Sequence, residues 1–174
     1  MRFRAGEHTP TNSLDFSIHL EPLQDGLIGY RARRHARVLD LSKVGGHRID
    51  DYWEPVFARK GRLILDPDEF YILASKEFVS IPVDRAAEMA PIAPDLGEFR
   101  AHYAGFFDPG FGCDGVSGRA VLEVRGRDVP FILEHGQPVG RLVFEPMSAL
   151  PRAPYGTEGS NYQGQGLKLS KHFA

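Results

Sequence analysis

Nineteen glycines and thirteen prolines are spread through the 174 residues of this chain, and they leave few stretches in which a long helix could run. Together they make up roughly 18% of the residues, against a usual ~12%. Both residue types are costly inside helices. Between these breaks the apolar residues alternate. Leu14, Phe16, Ile18 and Leu20 are separated by Asp15, Ser17 and His19, the period of a half-buried strand. Further strands are expected at Ala36–Leu41, Arg62–Leu65, Phe70–Ala74, Phe78–Ile81, Glu98–Phe107, Arg119–Arg125, Val129–Leu133 and Val139–Phe144. Turn-forming groups such as Asp25-Gly26, Asp66-Pro67-Asp68, Asp108-Pro109-Gly110 and His135-Gly136 separate them. Short helices are expected at Asp84–Met89 and at Asp50–Ala58, the second weakened by Pro55. The pattern predicts an all-β sandwich or barrel with one or two short helices.

Charge and cysteine content narrow the function classes. Lys and Arg number 21 and Asp and Glu 23, a net charge of −2 that lacks the basic surface of a general nucleic-acid binder. The apolar runs are too short to span a membrane, and the first ten residues lack the apolar core of a signal peptide. Cys113 is the single cysteine, so no internal disulfide and no cysteine cage for zinc can form; a reducing cytoplasm is the expected compartment. No Walker phosphate loop, H-E-x-x-H, G-x-S-x-G or zinc-deaminase signature is present, and the seven histidines form no His-x-His pair.

Two segments carry the chemistry. Gly105–Phe111 reads as a strand ending in a sharp turn, and Arg119–Arg125 as the returning strand. A period of two places Ala120, Leu122 and Val124 on an apolar face and Val121, Glu123 and Arg125 on the other. In a closed pocket Glu123 would serve as a general base; on a solvated face it would form only a weak surface pair with Arg125. The second segment is the tail, with Gly156, Gly159, Gly164 and Gly166 around Asn161-Tyr162-Gln163-Gly164-Gln165. Glycine amides, Tyr and Gln side chains and Lys168 suit phosphate binding; the alternative is an exposed tail without a ligand. Asp66-Pro67-Asp68 reads as a turn rather than a metal site.

In order along the chain, Ser13-Leu14-Asp15-Phe16, the Leu65–Leu73 segment, D-P-G-F at Asp108–Phe111, V-L-E at Val121–Glu123, G-x-L-V-F-E-P at Gly140–Pro146 and the N-Y-Q-G-Q tail resemble the dCTP deaminase branch of the dCTP deaminase/dUTPase superfamily. The resemblance extends from about residue 12 to residue 168 and is greatest to the C-terminal copy of long bacterial members that contain two copies. It implies a distorted β-barrel (a β-clip, jelly-roll-like, dUTPase-type fold) assembled as a trimer or pseudo-trimer, with sites between subunits. It also implies a barrel domain over residues 12–150, a Gly-rich tail over 151–174 and a leading segment, 1–11, that would end a preceding copy, in which case Met1 need not be the natural start. The activity implied is deamination of dCTP to dUTP and ammonia, or to dUMP in a bifunctional variant. Magnesium would enter with the triphosphate, and no zinc would be used.

Carried over by position, Glu123 activates water, Asp108 shapes the turn beside the base pocket, and Tyr155, Tyr162 and Gln165 close over sugar and phosphates, with Lys168 as an added donor. The sequence also departs from the family. Met89–Asp95 stands where the family carries G-R-S-S-x-x-R, Phe106 and Asn161 replace an arginine and a lysine, and Gly112–Gly118 is longer. The departures suggest the alternative of a degenerate copy that completes an oligomer around an active one. A cupin-like sugar or metal protein is a third reading, which the scattered histidines do not favour.

Overall fold

The computed structural model describes residues 2–4, 12–23, 26–57, 59–90, 99–102, 106–113 and 115–174, with backbone alone for 2–4 and 102. The strands are β1 (Arg2–Arg4), β2 (Ser13–His19), β3 (Leu27–Ala32), β4 (Trp53–Phe57), β5 (Arg62–Leu65), β6 (Phe70–Ser80), β7 (Arg85–Ala90), β8 (Phe99–His102), β9 (Phe106–Phe107), β10 (Gly118–Gly126), β11 (Phe131–Glu134) and β12 (Pro138–Pro146). The architecture is nearly all β, as the alternation predicts.

Ten strands join in one sheet whose main path runs β4-β3-β6-β2-β12-β7-β9, while β5 and β11 form a separate pair. The long strand β6 is the hub. Along one edge it pairs with β10, from Phe70 to Val79. Its other edge is shared in succession by β3 at Tyr71 and Ile72, by β2 at Ala74 and Ser75, and by β1 from Phe78 to Ser80. Three neighbours in succession on one edge, β3 and β2 antiparallel and β1 parallel, accompany the curling of the sheet into a half-barrel. The concave side is filled by Phe16, Ile18, Leu20, Ile28, Tyr71, Leu73, Phe107, Leu122, Val124 and their neighbours, all nearly or fully buried. The β10 ladder breaks register between Arg119 and Val121. The Arg119 guanidinium bridges that irregularity, donating to the carbonyls of Ser75 (2.6 Å) and Lys76 (2.7 Å) while lying over the Phe78 ring.

Four expectations are corrected. Ala36–Leu41 is not a strand: the segment is an irregular loop with Val38 93% exposed, and among the described residues no strand pairs with it. The expected helix Asp50–Ala58 is not found over its described residues, 50–57: a single 3-10 turn, Ile49–Asp51, leads into β4, which Pro55 can enter because β4 is, among the described residues, an edge strand paired only to β3. Asp84–Met89 is not helical either. Asp84 lies in a turn, and Arg85–Met89 belong to β7, held between β12 and β9, so tertiary pairing overrides the helix propensity of the Ala, Glu and Met residues. Phe70–Ala74 and Phe78–Ile81 form one continuous strand. Asp66-Pro67-Asp68 is a turn, closed by the Glu69 amide donating to the Asp66 carbonyl. The remainder of the leading segment and the stretch 91–98 lie outside the described residues.

The end of β2 carries a buried polar pair. His19 is 8% exposed, its Nδ1 has no hydrogen-bond partner, and its ring packs edge-on against His135 at 5.2 Å. Burial first, and the Arg119 charge second, lower its pKa to about 4. The unfolded chain therefore takes up a proton near pH 6.5 that the folded chain refuses until about pH 4. Stability is complete above the upper value, falls across that window as pH drops, and is level below it. After allowance for solvent screening, the loss is about 2 kcal/mol. Urea unfolding at pH 7.5 and pH 4.5 should show His19→Phe losing less stability on acidification than the parent. Equal losses would rule out His19 as the source.

Candidate active site

Strand β10 positions the candidate base. Ala120, Leu122 and Val124 are 0% exposed on the core side, whereas Val121 and Glu123 are half-buried on the opposite face. Glu123 lies opposite Ile72 of β6 on one side and His102 of β8 on the other, so its backbone is fixed in the middle of a three-strand ladder. Its face forms one wall of a cleft of about 320 Å³ with Trp53, Phe70, Ile72 and Val121. Arg125, two residues on, lays its guanidinium over the Phe70 ring at 4.8 Å.

The tail supplies the rest of the cleft through Tyr162, Gln165, Lys168, Leu169 and Ser170. It packs against the body rather than standing clear of it: Gln165 is 7% and Leu169 8% exposed. Three attachments set its path. The Tyr155 amide donates to the Pro109 carbonyl at 2.8 Å. The Gln163 side chain accepts from the Gly112 amide at 3.1 Å and donates to the Gly110 carbonyl at 3.2 Å, as a neighbouring strand would. Gln165 and Arg119 exchange two bonds: the Arg119 amide donates to the Gln165 carbonyl at 2.8 Å, and the Gln165 side-chain amide donates to the Arg119 carbonyl at 3.2 Å. The start of the Glu123 strand and the tail are thereby stitched together. Lys168 donates from Nζ to the Asn161 carbonyl at 2.6 Å and lies 5.6 Å from the Tyr162 ring centre.

Of the six candidate residues, Glu123, Tyr162, Gln165 and Lys168 therefore meet in one cleft. Asp108 and Tyr155 line a second cleft of about 580 Å³ under residues 153–162, together with Phe106 and Phe111. Tyr162 borders both clefts. Burial raises the Tyr155 phenol above its ordinary pKa, and the Asp108 charge adds to this, while a backbone hydrogen bond involving Tyr162 works the other way. The phenol thus remains a hydrogen-bond donor at neutral pH. Sequence reasoning missed Trp53, Phe70 and Gln163 as site-forming residues. Gln163 was visible as the first glutamine of the Gln-Gly-Gln run, but Trp53 was hidden by the mistaken helix at Asp50–Ala58.

A solved structure of 2'-deoxycytidine 5'-triphosphate deaminase from Agrobacterium tumefaciens superposes with a TM-score of 0.76 at 56% sequence identity, over 84% of this chain. The chain spans 44% of the length of that solved chain. Sheet, tail and cleft define a distorted β-barrel of the dUTPase type. The chain belongs to the family described as 2'-deoxycytidine 5'-triphosphate deaminase (DCD), C-terminal domain, whose family model matches residues 3–173. Among curated relatives, a Beutenbergia cavernae protein named "dCTP deaminase, dUMP-forming" is 35% identical over 166 residues, 85% of this chain and 82% of the relative. A Kocuria rhizophila protein of the same name is 37% identical over 164 residues, again 85% and 82%. The resemblance read from the motifs is borne out. Among the described residues no helix is long and apolar enough to cross a membrane.

Proposed function

We propose that this chain takes part in the hydrolytic deamination of dCTP to dUTP and ammonia in pyrimidine deoxynucleotide metabolism, with Glu123 activating the water. The observation that carries the reading is the meeting of Glu123 with Tyr162, Gln165 and Lys168 in one cleft. The carboxylate takes a proton from water as its oxygen attacks C4 of the cytosine ring. The proton passes to the exocyclic nitrogen, the C4–N bond breaks, and ammonia leaves. Phe70, Ile72, Val121 and Trp53 offer the apolar wall that a pyrimidine needs. Lys168, whose ammonium donates to the Asn161 carbonyl, is assigned the positive charge that the family resemblance places at position 161. Asp108 and Tyr155 are assigned to the sugar and base side through the adjoining cleft.

Magnesium belongs to the nucleotide in this reading. Among the described residues no cluster of three His, Cys, Asp or Glu is arranged to hold an ion, and triphosphate oxygens are themselves suitable ligands. The site is proposed to be completed by a further copy in a trimer or pseudo-trimer in the cytoplasm. That the relatives are named dUMP-forming makes release of pyrophosphate a second step to be tested here.

A second reading is supported by Met89–Asp95, which contains neither serine nor arginine. Here the chain is a supporting copy whose own Glu123 does no chemistry. Ammonia release from magnesium–dCTP, with dUTP and dUMP separated, decides between the two. Ammonia production by the folded chain supports catalysis. Its absence from a folded oligomer transfers catalysis to a partner copy.

A further inference from the structure

Beyond the cleft, the tail ends in an aromatic socket. The Phe173 ring lies 5.4 Å from Tyr52, 5.9 Å from Trp53 and 6.4 Å from His47, the first two edge-on. Backbone bonds reinforce the contact. The Gly45 amide donates to the Lys171 carbonyl (2.9 Å), the His47 amide to the His172 carbonyl (3.2 Å), and the Ala174 amide to the His47 carbonyl (3.0 Å). The socket is itself tied together. His47 Nε2 donates to the Asp40 carbonyl, an acceptor only, at 2.9 Å, and Nδ1 hydrogen-bonds the Tyr52 hydroxyl at 3.3 Å. Trp53 belongs to both structures: one neighbour is Phe173 in the socket, another is Phe70 in the cleft wall, and Trp53 itself lines the cleft.

The last stretch of the tail is thus held at both ends. The Gln165–Arg119 exchange holds its near end and the Phe173 socket its far end. Residues 166–172 run between them and carry Lys168, Leu169 and Ser170 along the cleft. A segment with fixed ends presents its side chains at lower entropic cost than one held at a single end.

We infer that Phe173 is a positioning residue: seated among His47, Tyr52 and Trp53, it latches the tail and holds Lys168 and its neighbours over the Glu123 cleft. The effect on a nucleotide rests on the proposed function, whereas the latch itself can be read without any ligand. It acts on binding more than on the chemical step, because Glu123 is carried by β10 and not by the tail.

The test uses the full chain, trypsin and the emission of Trp53, the single tryptophan. Phe173→Ala is expected to speed cleavage after the exposed Lys168 and Lys171 about tenfold or more, since proteolysis follows the opened population. It is also expected to shift Trp53 emission to the red, and Phe173→Tyr should restore both signals. Tyr52→Ala loosens the latch from the opposite side and serves if Phe173→Ala does not fold. Unchanged cleavage and emission in a folded variant would overturn the latch. With magnesium–dCTP, Phe173→Ala should raise the half-saturating concentration about tenfold while kcat stays within twofold. Equal affinity in parent and variant would also overturn it. If the parent itself binds no dCTP, the nucleotide reading fails, and the latch is judged by proteolysis and emission alone.

Discussion

Glu123→Gln is expected to lower ammonia release from dCTP by roughly 10²–10⁴-fold, the range in which a positioned general base contributes. Glutamine has nearly the shape of glutamate but cannot accept the proton of an attacking water. The substitution should leave the fold alone. Its strand neighbours Leu122 and Val124 are fully buried, the ladder contacts at position 123 are made by the backbone, and glutamine keeps the shape and the hydrogen-bonding capacity of the side chain. Any loss of stability is therefore expected to be small beside the loss of turnover, about 1 kcal/mol or less. Thermal unfolding, nucleotide binding and ammonia release, measured on the same preparations, separate the outcomes. Turnover near that of the parent would remove Glu123 from the chemistry. If activity appears only when another copy is added, and Glu123→Gln changes nothing in that mixture, the supporting-copy reading stands.

Gly112→Ala should be the most damaging small substitution in the fold. Gly112 has φ +68°, and a Cβ built there would lie 2.0 Å from the Val79 carbonyl oxygen, a backbone atom of β6. An L side chain in this conformation costs about 1 kcal/mol before any contact is counted. Relieving the overlap means displacing the end of β6 or the turn after Asp108. The same amide donates to Gln163, so the displacement also releases the tail. A total loss of about 3 kcal/mol or more is expected, lowering Tm by about 10 °C in a chain of this size. Gly115→Ala is the control: φ is +81°, and nothing lies within 4 Å of the added carbon. If both variants melt together, the carbonyl contact is not what requires glycine at 112.

The core-forming strands were legible because their side chains face one environment on each side. Arg62–Leu65 was read to the residue, and the parity of β10 placed Glu123 correctly relative to Leu122 and Val124. The misread segments lack that local signal. The alternation of Ala36 and Val38 belongs to a loop in which both side chains are exposed. Ala86, Ala87, Glu88 and Met89 favour helix locally, and only the flanking strands β12 and β9 draw them into a ladder. The site divides in the same way. Motif order brought Glu123, Tyr162, Gln165 and Lys168 into view. No periodicity could show that Gln163 would pair with the 110–112 turn, or that Trp53 would form a wall shared by cleft and socket. Those relations depend on an irregular tail folding back on strands far away in sequence.

The pairing of β2 with β12 also bears on how the molecule is made. Asp15 and Arg141, joined at 2.6 Å across that ladder, are 126 residues apart in the chain. During translation β2, with Phe16, Ile18 and Leu20 ready for the core, emerges well before β12, the strand that completes its edge. The sheet cannot close around its interior until that late segment leaves the ribosome. A contact so distant forms slowly, and the nascent chain carries apolar surface throughout the synthesis of the residues between the two strands. Ribosome-bound intermediates stalled before β12 are the species for which chaperones would have the greatest demand.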